Sequence, residues 1–319
     1  MRPPGHPISL AEFEADVRAG LQKSGQKELY SKYFYDDLGT ALFEAITQLP
    51  EYGLTRADLR LLRRNATELP RLAGNPSVVV ELGSGSGEKA REILPAFAAQ
   101  PVTYCPIDLS AAALIRCQRD VAHIRNLRIV PIEDSYVQGL ASVSRLRAPG
   151  TSVMVLFLGS SIGNFEPSVS MEFLRAVREN LHRQDVLLLS TDLVKPLDRM
   201  LAAYDDPIGL TSAFNLNLLA RINRELGADF DLQKFKHEAR YNDPEQRIEM
   251  HLRSQAKQSV SINHHFTVHL EQGETIWTES SYKYRPEQAR SMAEQAGFRC
   301  EYQWVDSEWP FAQSFFRAA

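Results

Sequence analysis

Five short apolar runs constrain this chain more than anything else in it: Val78–Leu82, Val102–Ile107, Leu127–Val130, Ser152–Leu158 and Val186–Ser190. Helix-like stretches at 88–99, 110–123 and 167–183 lie between them. A strand that is apolar on both faces has to be covered on both, so the alternation predicts a parallel sheet with helices on either side. Residues 29–73 read as helices separated by Gly39, Pro50 and Gly53. Helical pattern returns over 197–235, followed by β-like runs at 246–254, 258–270 and 275–285. Arg285-Pro286-Glu287 opens a last helix that stops at Gly297, and Phe298–Val305 and Trp309–Phe316 read as an antiparallel pair. The predicted fold is α/β: a doubly wound, Rossmann-like domain over 62–196 and 283–319. It is interrupted by an insertion, and 8–61 and 197–282 form a second α+β unit.

Composition excludes several partners. At 319 residues the chain is long enough for two domains of about 150 residues and needs no disulfide or metal staple. Lys+Arg 36 against Asp+Glu 40 leaves a net charge of −4, which argues against nucleic-acid binding. Cys105, Cys117 and Cys300 form no C-x-x-C pair, as suits a reducing cytosol. No apolar run reaches the roughly 18 residues of a membrane span, and the N-terminus lacks the apolar stretch of a secretory signal. A cytoplasmic protein without membrane contact is expected.

The first strand runs into Glu81-Leu82-Gly83-Ser84-Gly85-Ser86-Gly87-Glu88-Lys89. A glycine turn between a strand and a helix is where α/β folds bind ligands, because the backbone can turn sharply and approach them closely. The spacing is G-x-G-x-G rather than the G-x-G-x-x-G of dinucleotide enzymes. Glu81 would repel a pyrophosphate but suits a cofactor carrying an ammonium and a sulfonium, which points to S-adenosylmethionine over NAD. Lys89 is placed to pair with that cofactor's carboxylate; the alternative is a solvated helix lysine. Asp108, 23 residues beyond Gly85, could accept the ribose hydroxyls, a feature NAD enzymes share. Asp134 is a candidate for the adenine amino group, or else a loop acid. Gln295-Ala296-Gly297-Phe298 and the strand pair after it match a C-terminal habit of class I methyltransferases, by analogy of fold.

The loops beyond the strands supply polar groups. Gly159-Ser160-Ser161-Ile162-Gly163-Asn164 follows the fourth strand, and Asn164 is either a substrate ligand or a turn-former. Tyr204 could bond a substrate carboxylate or be a partly buried helix tyrosine. Met250 reads as core by period alone. Glu279 and Ser281 share one strand face, so a carboxylate and a hydroxyl side by side could read a polar ring with two nitrogens; a solvated face is the alternative. His265 and His269, with His264 nearby, would lie about 13 Å apart on a strand face, too far to share one zinc, so no metal is expected. Ser160, Ser161 and Asp192 lack a G-x-S-x-G elbow, which discounts a hydrolase.

Taken together, Tyr33-Phe34-Tyr35-Asp36, Leu49-Pro50-Glu51-Tyr52, Val80–Gly85, Phe157–Asn164, Thr191–Lys195, Tyr204-Asp205-Asp206, Arg247–Met250 and Thr278–Ser281 resemble the histidine Nα-methyltransferases of ergothioneine biosynthesis, which convert L-histidine to hercynine. The similarity runs from about Tyr33 to the C-terminus. It implies S-adenosylmethionine contacts at Tyr35, Gly83, Lys89 and Asp108, with Asp134 near the adenine. It implies amine and carboxylate contacts at Tyr52, Asn164 and Tyr204, and imidazole contacts at Glu279 and Ser281 beside Met250. Tyr35 and Tyr52 are the implied catalytic positions, orienting the amine. The implied enzyme is a monomer acting on L-histidine. Methylation of another amino acid or a thiohistidine, a silent cofactor-binding regulatory subunit, and an NAD dehydrogenase are the competing readings. Two positions depart from the family pattern: Tyr52 is followed by Gly53-Leu54, and Asp134-Ser135-Tyr136 is one residue out of step.

Overall fold

The computed structural model describes residues 9–263 and 265–319. The sequence suggests a partly helical 1–28 with a flexible Pro/Gly start, and that start falls in residues 1–8, outside the described residues. The chain divides into two compact units. The first holds Leu54–Val194 and Tyr284–Ala319; the second holds Lys195–Lys283 and an N-terminal stretch ending at Gly53.

The first unit is built on one sheet. Its strand order is Phe298–Asp306, Phe311–Ala318, Val186–Asp192, Val153–Phe157, Val78–Leu82, Val102–Asp108 and Leu127–Ile129, with Ile132–Glu133 also paired to Val102–Asp108. The strands from Val186–Asp192 to Leu127–Ile129 run parallel. Phe311–Ala318 is antiparallel to both of its neighbours. The two-residue alternation of side chains divides the core cleanly. Val80, Val155, Leu187 and Leu189 pack on one face with Phe173 and Val177. Val79, Met154, Leu156 and Leu188 pack on the other with Ile93 and Leu94. Helices Glu88–Phe97, Ala111–Val121, Tyr136–Leu146, Pro167–Glu179 and Pro286–Gln295 belong to this unit. Ser110 caps the second of these through the Ala113 N–H, and Pro167 occupies the first turn of the fourth. Tyr136–Leu146 has no counterpart in the sequence pattern. Its Gly139 and two serines weaken helix propensity, yet only a glycine fits where a Cβ would come within 2.6 Å of Ile107.

Residues 54–61, expected in the second unit, belong to the first. Buried Asp58 explains this: its carboxylate accepts from the Gly159 N–H (2.8 Å), Ser190 Oγ (2.7 Å) and Gln313 Nε2 (2.6 Å). Arg60 adds a two-pronged pair with Asp306.

The second unit has a four-stranded sheet in the order Lys27–Glu28, Thr275–Tyr282, Arg247–Ser254, Phe235–Asn242, and a separate hairpin, Gln258–Ile262 with Phe266–Leu270. The single run expected over 258–270 thus folds back on itself, turning through Asn263 at φ 50°. The helical stretch expected over 197–235 is broken into Leu197–Ala202 and Leu210–Leu226. Phe235–Asn242, a strand the pattern did not reveal, pairs along its whole length with Arg247–Ser254.

Gly39 does not separate helices. It lies in the first turn of Asp37–Thr47, where its N–H donates to Asp36 Oδ1 at 2.7 Å. A Cβ there would fall 1.7 Å from the Phe34 carbonyl oxygen. Gly39→Ala should therefore cost about 1–3 kcal/mol of stability through forced backbone movement. Urea unfolding checks it; an unchanged midpoint would show that the segment relaxes freely.

Candidate active site

In the first unit the polar groups collect at the carboxyl ends of the parallel strands. Gly83, Gly85 and Gly87 have φ of 76°, 51° and 78°, so the G-x-G-x-G spacing places a left-handed residue at every second position. The turn is tied to the next strand: the Gly83 and Ser84 N–H groups donate to the Ile107 carbonyl (2.8 and 3.2 Å). Asp108 holds it from the side, accepting the Gly85 N–H at 2.9 Å on one oxygen and the Ser110 N–H at 3.0 Å on the other. Burial raises the Asp108 pKa, and those amide bonds oppose the rise. With Leu109 as a third backbone donor, the carboxylate still keeps a lone pair with which to accept a hydroxyl. The Tyr136 hydroxyl closes over Gly83, 3.0 Å from where a Cβ would be.

Glu81 is 2% exposed and accepts from the Tyr104 hydroxyl. Burial lifts its pKa to about 7, against the pull of the Tyr104 bond and of Lys89. Lys89 is not a solvated lysine. Its side chain is one-quarter exposed, and its ammonium lies 3.8 Å from Asp58 and against Gly159. Asp134 is half-buried and uses one oxygen on the Ser135 N–H. Asn164 ends the short turn Ser161–Asn164, which follows two left-handed residues, Gly159 and Ser160. Ser160 is held in that conformation by the Asp192 N–H, which donates to its Oγ at 2.8 Å.

In the second unit, Tyr35 follows the short turn Ser31–Phe34 and is partly exposed, while Tyr52 and Tyr204 are buried. Their rings form a chain of edge contacts: Tyr35 with Phe43 (5.7 Å), Phe43 with Tyr52 (6.1 Å) and Tyr52 with Tyr204 (6.2 Å). Glu279 and Ser281 lie on Thr275–Tyr282, opposite Met250 and Ile248. A β-bulge shapes this face. Trp277 pairs with His251 and Glu279 with Met250, leaving Thr278 as the extra residue, its hydroxyl donating to the Met250 carbonyl at 3.0 Å. Adjacent residues 250 and 251 point to opposite faces, so Glu279 shares Met250's face and Trp277 is turned to the other. Burial raises the Glu279 pKa to about 7, and the charge of Lys283 works against the rise.

Sequence reasoning passed over Lys283, although the same period of two reaches it from Ser281. It is 2% exposed and donates to the Tyr204 hydroxyl (2.8 Å) and Ser281 Oγ (2.9 Å), which are themselves 2.7 Å apart. The Tyr204 hydroxyl is thus joined to the Ser281 end of the strand. Its backbone carbonyl is held by His237 Nε2 at 2.7 Å, with Asn215 Nδ2 on His237 Nδ1 at 2.9 Å. No local signal marks Asp58, Tyr104 or His237, whose partners are remote in sequence.

His265 is not on a strand face with His269. It lies in the hairpin turn against Glu14 (3.1 Å), whereas His269 is on Phe266–Leu270 against Ser259 (2.9 Å). His264 is outside the described residues. Among the described residues no group of three or more His, Cys, Asp or Glu could hold a metal ion, and no helix is long and apolar enough to cross a membrane.

The strand order, with its antiparallel C-terminal hairpin, and the acid-flanked glycine turn define a class I S-adenosylmethionine-dependent methyltransferase. Residues 13–318 match the family described as "Histidine-specific methyltransferase, SAM-dependent", and the chain belongs to that family. It is 40% identical over 311 residues to a histidine N-alpha-methyltransferase of Mycolicibacterium smegmatis, covering 96% of this chain and 95% of that one. It is also 40% identical over 306 residues to the protein of the same name from Mycobacterium tuberculosis, covering 94% and 92%. A solved S-adenosylmethionine-dependent methyltransferase from Clostridium acetobutylicum aligns at TM-score 0.48 and 12% identity, over 87% of this chain and 98% of that one.

The ionised form of Glu81 is the one that would attract a cofactor ammonium. Because its pKa is about 7, cofactor affinity should weaken as the pH falls below that value. Tyr104→Phe removes a bond that favours the anion, so the midpoint should move to higher pH. Calorimetric titration of S-adenosylmethionine between about pH 5.5 and 8.5 tests both; a flat profile would remove Glu81 from the cofactor site.

Proposed function

We propose that this enzyme transfers three methyl groups to the α-amine of L-histidine, giving hercynine for ergothioneine synthesis. The observation that carries the substrate is the polar strand face. Glu279 and Ser281 stand two residues apart opposite Met250 and Ile248, a carboxylate and a hydroxyl framed by apolar side chains. That spacing suits a ring with two nitrogens and an apolar body better than an indole or an aliphatic chain. The two histidine N-alpha-methyltransferases similar to this chain support the reading.

The residues present fit the cofactor: three left-handed glycines bring the backbone close, Asp108 retains acceptor capacity, and Glu81 offers a carboxylate. Bound S-adenosylmethionine supplies a sulfonium methyl. Gly83 and Lys89 would hold its methionine end, Asp108 its ribose and Asp134 its adenine, and Tyr35 is assigned to the same cofactor. Glu279 and Ser281 hold the imidazole, Met250 packs beside it, and Tyr52, Tyr204 and Asn164 bind the amino acid's charged end. Tyr35 and Tyr52 orient the amine lone pair. With the cofactor bound, the amine nitrogen would take the sulfonium methyl, leaving the thioether, and solvent would take the amine proton. The protein's work is orientation, which is worth about 7–11 kcal/mol when reactants are well aligned. Tyrosine faces tolerate the trimethylammonium that accumulates. We assign the reaction to a monomer in the cytoplasm, where Cys105, Cys117 and Cys300 would stay reduced.

Mass spectrometry of L-histidine incubated with enzyme and cofactor should show three added methyl groups. Unmodified histidine, beside methylation of another amino acid in a panel, would reassign the substrate. Glu279→Ala should raise the histidine KM about 100-fold, the loss of a charged hydrogen bond, with cofactor affinity nearly intact. Cofactor binding that fell in step would place Glu279 in the other site.

A further inference from the structure

Asp58 is fully buried on the helix Gly53–Asn65, and four groups remote from one another in sequence converge on its carboxylate. One oxygen accepts the Gly159 N–H at 2.8 Å and lies 3.8 Å from the Lys89 ammonium. The other accepts Ser190 Oγ at 2.7 Å and Gln313 Nε2 at 2.6 Å. Gly159 follows the strand Val153–Phe157, Ser190 is on Val186–Asp192, Gln313 is on Phe311–Ala318, and Lys89 is in the first turn of Glu88–Phe97. A carboxylate bonded on both oxygens in a buried place cannot swing, so a fixed anion stands beside a cation on a flexible stem.

Gly159 joins the two sides of this contact. Its N–H is bonded to Asp58, its φ is 77°, and a Cβ there would fall 2.6 Å from Lys89 Nζ. Glycine lets the ammonium lie directly against this peptide.

The surrounding charges show why the lysine needs an anchor. Lys89 pulls the Glu81 pKa down, while Asp58 and Asp108 push it up. The methionine end of S-adenosylmethionine carries an ammonium and a carboxylate on one carbon, so it needs an anion and a cation that are close but not paired with each other. A lysine free to fold onto Glu81 would cancel both charges. Paired with Asp58, Lys89 leaves Glu81 to the Tyr104 hydroxyl and to the cofactor ammonium. An ammonium has three N–H groups, and Asp58 lies on one side of it only.

We propose that Asp58 is a positioning residue for the cofactor's methionine end: it holds the Lys89 ammonium at the ends of the parallel strands, apart from Glu81, so that the ammonium meets the cofactor carboxylate. The inference rests on Lys89 binding that carboxylate.

The test compares two ligands of the full-length protein at about pH 8.5, where Glu81, with its pKa of about 7, stays ionised. One is S-adenosylhomocysteine. The other is its decarboxylated analogue, which keeps the adenosine and the ammonium. The ratio of their affinities, from calorimetric titration, reads the carboxylate alone. The unmodified protein should prefer S-adenosylhomocysteine by about tenfold or more, and Lys89→Met should abolish that preference. Asp58→Asn should cut the preference about fivefold. The amide can keep its three hydrogen-bonded neighbours: its oxygen faces Gly159, and its NH2 faces Ser190 Oγ and, once the Gln313 amide turns over, an Oε1 that is buried without a partner. The charge is what the variant loses. In the Lys89→Met background the same substitution should change the ratio less than about twofold. Equal weakening of both ligands by Asp58→Asn would make Asp58 a purely structural residue and overturn the inference, as would a preference unchanged or increased. If Asp58→Asn binds neither ligand, Ser190→Ala decides, because it removes one bond that holds the carboxylate and leaves its charge: the preference should fall, and an unchanged one overturns the inference. A preference that survives Lys89→Met, or none in the unmodified protein, would overturn the reading of Lys89 and this inference with it.

Discussion

The sheet of the first unit is apolar on both faces, and the arrangement of polar groups there follows from that constraint. Val79, Val80, Met154–Leu156 and Leu187–Leu189 are almost fully buried, so no charged side chain can stand in mid-strand without losing its hydration. Buried charges on the parallel strands are therefore confined to the strand ends. Glu81 and Asp108 sit there, each partnered: Glu81 by Tyr104, Asp108 by backbone N–H groups, among them those of Gly85 and Ser110. The glycine turn is shaped by the same bonds that hold Asp108. A cofactor cradle of this kind is thus a by-product of satisfying a buried sheet edge, tuned by which acids occupy it.

The second unit solves a different problem. Its sheet is antiparallel apart from the short Lys27–Glu28 edge, and one face of Thr275–Tyr282 carries Glu279 and Ser281, with Lys283 just beyond the strand end. Burying such groups costs several kcal/mol unless they are mutually bonded. The Lys283–Tyr204–Ser281 triangle supplies the bonds, and the bulge at Thr278 turns Glu279 to the same side as Met250 while sending Trp277 to the other. On that other side Trp277 is covered by Arg247, 4.5 Å from its ring centre, so both faces of the strand are used.

Much of this was legible in the chain. The five apolar runs specify the parallel sheet, because continuous apolar strands have no other stable setting. The alternation Glu279–Ser281 specifies a shared face, because the period of a strand is two. What failed did so for physical reasons. The helix Tyr136–Leu146 is held by packing on the sheet in spite of poor propensity. Phe235–Asn242 is half polar and becomes a strand only because Arg247–Ser254 lies beside it. Gly39 looks like a breaker, yet it is there because the Phe34 carbonyl leaves no room for a Cβ.

Local pattern and residue chemistry by themselves determined the sheet, the glycine turn, the acids at its ends and the paired carboxylate and hydroxyl of the 279–281 strand, since each depends on spacings of a few residues. Only the tertiary structure decided that Asp58 draws residues 54–61 into the first unit and reaches Lys89, that Tyr104 lies on Glu81, and that Tyr204 and Lys283 close on Ser281. Those bonds join residues 23 to 255 positions apart, apart from Lys283 with Ser281. Hydrogen bonds across such separations are set by how the elements pack, which no short-range period records.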